Sequence, residues 1–275
     1  MAKAKTTEVE TVAVELTVEG LMSMGYSQED AQEIVGANSS TGGGLPFPTF
    51  KINYDLEISH LAKKGEFVGD IVKDGDGEIT GLTNFGDKVT IVILASGCQY
   101  SRYNNTTNSA DVSSNIFPLS GTKSAIDFKS GKKISELKKH DPDNKIKFQE
   151  IMLVLVSSDS QPEPKPYIMY SKGAFLYSLG VGRKTLPNRG NMMYELTFGL
   201  KMLKNGATKY FEVDADSFVA KPRSMEAIKA GVATIPGYIK QFNDWVDGVN
   251  NSSPAEAAPT EEVAEYDDED EVSFA

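Results

Sequence analysis

Apolar residues in the middle of the chain occur in short runs and in alternation, which is typical of β-strands. The runs Lys88 to Ser96 and Phe148 to Ser157 are almost continuously apolar, so each predicts a strand buried on both faces. Met193 to Leu203 alternates between apolar and polar residues. The Asn205-Gly206 pair that follows predicts a tight hairpin with a returning strand over Thr208 to Asp214.

Weaker patterns complete the prediction for the body of the chain. Further strands are predicted within 45–55, 66–73, 79–82 and 167–170, and the Gly-rich stretch 74–78 predicts a turn between two of them. Short helices are predicted over 134–139 and 174–179, and a longer helical region over 224–249. The stretch from Gly97 to Gly121 is rich in Ser, Asn and Thr and is predicted to be a long surface loop.

This order of elements lacks the βαβ alternation of parallel sheets and favours a mainly β fold with minor α content. We predict an antiparallel, partly open OB-like barrel with long loops, a short N-terminal helical segment over 20–36 and a C-terminal helix. Other small barrels or sandwiches would give the same pattern. Three regions are predicted: an acidic N-terminal segment with a Gly/Ser linker (1–44), an OB-like nucleic-acid-binding domain (45–250) and a disordered acidic tail (251–275).

The net charge of -11 is unevenly distributed along the 275 residues. Residues 1–40 hold seven acidic and two basic residues, and residues 251–275 hold nine acidic residues and no basic one. Residues 123–240 hold 20 basic against 12 acidic residues, a local excess of +8. A mildly basic body between acidic ends is compatible with a nucleic-acid partner, although the whole-chain charge argues against one.

Other classes of function find little support in the sequence. No apolar stretch reaches the roughly 20 residues that a membrane helix needs, and no secretory signal is visible, so we expect a cytoplasmic protein without a membrane partner. One cysteine and two histidines leave few soft ligands, and we expect no metal and no cofactor. His60, His140 and Cys98 form no recognisable catalytic arrangement, and no phosphate loop is present, so we expect no enzyme activity.

Basic and aromatic residues are interleaved in the body, as single-strand binding requires. Lysines and arginines replace counterions along the phosphates, and aromatic faces stack on bases. The same aromatics could instead fill the core. Tyr100 and Tyr103 are favoured because they lie in the predicted polar loop. The candidate nucleic-acid-binding residues are Tyr100, Arg102, Tyr103, Lys129, Lys132, Lys133, Tyr170, Lys172, Arg183, Lys184 and Arg189.

The C-terminal segment ends in an acidic run followed by an apolar residue, Asp267, Asp268, Glu269, Asp270, Glu271 and then Phe274. Together with the lead-in LPFPTFKINYD (45–55), it resembles bacteriophage-type single-stranded DNA-binding proteins. The chain departs from that pattern by ending in Ala275 rather than in the phenylalanine.

The resemblance implies an OB-fold that coats single-stranded DNA during replication, recombination and repair, in the host cytoplasm if a phage encodes it. It implies that the acidic tail recruits a DNA polymerase, helicase/primase or nuclease and competes with DNA for the groove. Self-association is common among coating proteins. The alternative is a phage virion or assembly protein without nucleic-acid affinity. The residues do not distinguish DNA from RNA.

Overall fold

The structure is a computed structural model that describes residues 22–23, 25–28, 45–54, 60–74, 78–104, 109–141, 145–205 and 208–251. The strands in this part are β1 (Thr49–Ile52), β2 (Phe67–Lys73), β3 (Ile79–Gly86), β4 (Lys88–Asn104), β5 (Ser109–Ser113), β6 (Lys147–Ser157), β7 (Lys165–Lys172), β8 (Tyr194–Asn205), β9 (Thr208–Val213) and β10 (Val219–Pro222). The helices are α1 (Ile134–Lys139), α2 (Gly173–Arg183), α3 (Met225–Ala230) and α4 (Ile235–Asn251), with short 3-10 turns at Leu119–Ser124 and Pro187–Gly190.

The strands form a mixed sheet in the order β10-β8-β4-β6-β7-β1-β2-β3, with β5 paired to β4 and β9 to β8. The prediction of a mainly β protein is confirmed. The prediction of an antiparallel sheet is wrong for one pair, because β1 lies parallel to β7. No hairpin joins these two strands, so nothing in the connection imposes an antiparallel direction. The described strands do not close into a barrel, because β10 and β3 lie at opposite ends of the order.

The sheet curls strongly around an aromatic core. Phe67 on β2 and Phe198 on β8 have ring centroids 5.8 Å apart, although four strands lie between them in the sheet order. In a flat sheet, five strand spacings would separate them by about 24 Å. Phe175 and Leu179 of α2 pack on the same cluster. The curl therefore buries one face of the sheet within itself and beneath α2.

The opposite face of the sheet packs against the C-terminal helices. Leu153 and Ile168 are buried there with Ile239 and Phe242 of α4. Tyr26 is also buried in this second cluster, at 4% exposure. The rest of the predicted N-terminal helical segment is largely outside the described residues, as are the Gly/Ser linker and the acidic tail.

The prediction of a loop over 97–121 is wrong at 97–104, which belongs to β4, and at 109–113, which is β5. Strand β4 continues to Asn104 and pairs there with β6 and β5. Its polar composition hides an inward-facing set, in which Cys98 and Val112 are buried with Phe117 and Ile134 in a third cluster. The chain is extended here because these alternate residues cover a core that the preceding apolar run does not reach.

Candidate nucleic-acid interface

One face of the sheet is exposed where β4, β6 and β7 continue past the end of α4. The register pairs Gln99 with Gln149 and Gln149 with Lys172, and residues directly opposite one another share a face. Every second residue along each strand lies on that same face. Alternation thus gives a polar face that also includes Ser101, and we define the sheet platform by the larger side chains of this face: Gln99, Tyr103, Lys147, Gln149, Tyr170 and Lys172.

The end of α4 determines where the sheet platform begins. The Asn250 side chain accepts a hydrogen bond from the Ile116 amide at 2.7 Å and donates one to its carbonyl at 2.9 Å. Ile116 in turn covers Gly97, where a Cβ atom would lie 2.5 Å from the Cγ2 atom of Ile116. Glycine is therefore required for this close approach. Beyond Gly97 the same face of β4 is polar.

Amide side chains connect the strands across the platform. The Gln149 Nε2 group donates to the Oε1 atom of Gln99 at 2.9 Å. Gln99 then donates through Nε2 to the carbonyl of Ser114 at 2.8 Å and to the hydroxyl of Ser113 at 3.2 Å. This chain of hydrogen bonds fixes the rotamers of both glutamines and gives the platform an ordered polar floor.

Two tyrosine side chains of the platform are exposed to solvent. Tyr103 is 58% exposed and Tyr170 is 37% exposed. Tyr170 is aligned through Ile151 with Gly97, which lies six residues before Tyr103 on β4. At about 3.3 Å per residue the two rings lie about 20 Å apart along the strands. Partial burial raises the pKa of the Tyr170 hydroxyl above its ordinary value.

Lysines flank the two rings. Lys147 and Lys172 are exposed at register positions of the platform itself. Lys129 donates through Nζ to the carbonyl of Ala110 at 2.7 Å, and Ala110 is the β5 residue directly opposite Tyr103. Lys132 and Lys133 are exposed in the same turn region, immediately before α1. None of the described residues at the platform's register positions is acidic.

The remaining predicted residues lie away from the platform, and two of them are on the opposite face of β4. Tyr100 stacks on Phe117 at 5.8 Å and meets Phe148 edge to face at 5.3 Å, so it packs in the third cluster. Burial raises the pKa of Tyr100. Arg102 donates through Nε to Asp111 at 3.0 Å, and this hydrogen bond lowers the pKa of the Asp111 carboxyl. Both residues are engaged within the protein rather than presented to a ligand.

Arg183 also has an internal role. It is 5% exposed, and its guanidinium lies 3.0 Å from the Glu150 carboxylate and donates through Nε to the Arg189 carbonyl at 2.9 Å. Arg189 has a positive φ of 54° and lines a shallow pocket beside α2, on the face opposite the platform. Lys184 is exposed at the end of α2. The structure therefore does not bring these three cations together with Tyr103 and Tyr170.

Sequence reasoning missed three platform residues, Gln99, Lys147 and Gln149. Lys147 lies immediately before the apolar run of β6, and Gln149 is the second residue of that run. Continuing the alternation backward from Leu153 and Ile151 would have placed both on one face, so a signal was present. Gln99 lay in the stretch predicted to be a loop and had no such signal.

Comparison of the chain with protein-family models, with curated proteins and with solved structures found no match. Within the described ranges, no three His, Cys, Asp or Glu residues are grouped so as to hold a metal ion. None of the helices in the described part of the chain has both the length and the apolar character needed to cross a membrane.

Proposed function

We propose that this protein binds single-stranded DNA without sequence preference through the sheet platform, in replication, recombination or repair. The observation that carries the proposal is a pair of exposed tyrosine rings on an open sheet face with lysines around them and no described carboxylate among them. A single strand laid across the platform stacks bases on Tyr103 and Tyr170. Its phosphates contact Lys129, Lys147 and Lys172.

The chemistry suits binding without base specificity. Every base has a face that stacks on an aromatic ring, and each stacked base contributes about 1–3 kcal/mol. The lysines act on phosphates, which are the same in every sequence. The side-chain amides of Gln99 and Gln149 already hydrogen-bond one another and the neighbouring strand, which leaves them few donors for reading a base. Such contacts support the proposed non-enzymatic coating role.

The resemblance to bacteriophage-type single-stranded DNA-binding proteins adds two parts to the proposal, one for the body and one for the acidic segment. The curled sheet acts as an OB-like body, and the acidic segment 251–275 recruits a polymerase, helicase/primase or nuclease and competes with DNA for the platform. The residues proposed for that contact, Asp267 to Glu271 and Phe274, lie outside the described residues. Charge complementarity supports the competition, because this segment has nine acidic residues and residues 123–240 have an excess of basic ones.

Fluorescence anisotropy of a labelled oligothymidylate tests the proposal. We expect tight binding at low salt, little binding to duplex, and at least about 30-fold weaker binding by the Tyr103→Ala/Tyr170→Ala variant, since two stacked bases are lost at 1 kcal/mol or more each. The matched control is Tyr177→Ala, which removes a ring that is 63% exposed on α2, away from the platform.

Two results would contradict the proposal. If the double variant and the control bind the oligonucleotide with equal affinity, the platform is not the binding site. Absence of any binding at low salt would reject nucleic-acid binding altogether and favour a virion or assembly role. An oligouridylate measured in parallel decides between DNA and RNA as the preferred strand.

A further inference from the structure

A second basic surface lies at the hairpin formed by β8 and β9, at the opposite end of the sheet from Tyr103. Lys204 and Lys209 are exposed and directly opposite one another across this hairpin. Like charges in directly opposed positions destabilise a strand pair. On the other face of the hairpin, Lys201 lies opposite Glu212. The Glu212 carboxylate therefore does not lie between the opposed lysines Lys204 and Lys209.

Neighbouring residues extend this positive surface. Phe211 lies on the same face of the hairpin as Lys209, and its ring contacts the backbone at Gly65, where a Cβ would lie 2.7 Å from the ring. Gly65 directly follows Lys63 and Lys64, which are both exposed. The nearby Glu66 carboxylate accepts hydrogen bonds from the Lys63 amide at 2.7 Å and from Asn84 at 2.8 Å.

An aromatic and a thioether side chain are exposed at the same place. Tyr54 is 48% exposed and contacts Phe211 edge to face at 5.2 Å. Met202, directly opposite Phe211, is 47% exposed. We define the hairpin surface by these residues and the four lysines: Tyr54, Lys63, Lys64, Met202, Lys204 and Lys209.

We propose that the hairpin surface is a second nucleic-acid site, which holds the phosphates of a strand separate from the one on the sheet platform. This inference rests on the proposed function. Opposed lysines that repel one another in the unbound protein are stabilised by a polyanion, and the exposed Tyr54 ring provides a face for a base. One protomer then holds two segments of nucleic acid at once.

The geometry keeps the two sites apart. Lys88 pairs with Gly199 of β8, and along β4 it lies nine residues, or about 30 Å, from Gly97, the residue aligned with the nearer platform ring, Tyr170. Tyr103 lies about 50 Å from Lys88 by the same measure. The hairpin continues beyond Gly199 to Asn205, away from the platform. A six-nucleotide strand is about 20 Å long when stacked, so it occupies only one of the two surfaces.

Native mass spectrometry with the oligonucleotide dT6 counts strands per protomer in the full-length chain. We expect two for the unmodified protein, one for Lys204→Glu/Lys209→Glu, one for Tyr103→Ala/Tyr170→Ala, and none when both pairs are changed. Lys221→Glu/Lys229→Glu makes the same charge change on β10 and α3 and is expected to retain two strands. Circular dichroism of each variant verifies folding, and Lys63→Glu/Lys64→Glu provides a second variant of the same surface.

The possible failures are distinguishable. One dT6 per unmodified protomer, lost on changing the platform tyrosines, would overturn the second site and leave the proposed function intact. Two strands retained by both lysine-pair variants of the hairpin surface would also overturn it. No dT6 on any protein would reject both proposals. Binding of a synthetic peptide of residues 260–275, instead of dT6, that depends on Lys204 and Lys209 would assign the surface to an acidic segment and overturn its role with nucleic acid.

Discussion

The lysines of the proposed interface give a quantitative prediction for the salt dependence of binding. The perturbation is the triple change of Lys129, Lys147 and Lys172 to glutamine, which keeps the length of the stems and removes the charges. All three are exposed, and each is proposed above to contact one phosphate of a bound strand. Each contact releases counterions when it forms.

The magnitude follows from counting these contacts. For single strands the logarithm of the binding constant falls with the logarithm of salt concentration by about 0.7 per phosphate neutralised. Three contacts therefore contribute about 2 to the slope. If the non-electrostatic contribution is unchanged, the triple variant binds about 100-fold more weakly near 0.1 M salt and approaches the unmodified protein as salt rises toward 1 M.

Anisotropy titrations of oligothymidylate over a salt series from about 50 to 200 mM measure the slope directly. The matched control changes Lys184, Lys221 and Lys229 to glutamine, three lysines that are exposed directly after α2, on β10 and on α3. We expect the control to retain nearly the full slope. A triple platform variant with an unchanged slope, or a control that loses as much, would show that the phosphates lie elsewhere on the protein.

Two further predictions concern groups that the structure places inside the protein. Burial raises the pKa of the Cys98 thiol from 9.0 to about 12, so the folded state favours the neutral thiol and the free energy of unfolding declines as pH rises through that interval. Between pH 8 and pH 10 the unmodified protein should lose about 1.4 kcal/mol more stability than the Cys98→Ala variant does. Chemical denaturation of both proteins at the two pH values measures this difference. Equal losses in the two proteins would contradict the burial of the thiol. Glu150→Ala leaves the Arg183 guanidinium buried and unpaired, and should lower stability by about 3–5 kcal/mol while the folded variant keeps its affinity for single strands. A loss of affinity without a loss of stability would return Arg183 to the interface.

The strands with strong hydrophobic patterns were predictable because a strand that is buried on both faces consists mostly of apolar residues. Lys88 to Ser96 and Phe148 to Ser157 carry β-branched residues on both faces, and both faces are covered, by the aromatic core on one side and by α4 on the other. The hairpin of β8 and β9 was predicted from its Asn-Gly turn and lies where predicted. Which strands become neighbours was not accessible, since β1 pairs with β7, which lies far from it along the chain.

The candidate interface was predictable only in its residue types. Tyr100 and Tyr103 looked equivalent because both lie in one polar stretch. They are three residues apart on a strand, so they point to opposite faces, and only Tyr103 reaches solvent to a large extent. Choosing between them requires knowing which face is covered, and the clusters that cover it come from residues 112–146, which carry a weak hydrophobic pattern. Arg183 was misassigned for a related reason, since nothing nearby in the sequence identified Glu150 as its partner.

The division of β4 into two halves assigns stability to one half of the strand and the proposed binding to the other. From Val89 to Leu94 the apolar side chains are buried on both faces, whereas beyond Gly97 only the side that carries Cys98 and Tyr100 is packed and the other side is the platform. Tyr103 is 58% exposed, so truncating it removes fewer contacts that hold the sheet together than truncating a buried residue of the same strand would. Truncation of Tyr103 is therefore expected to separate the proposed binding from stability, because the apolar half of the strand holds the polar half in place.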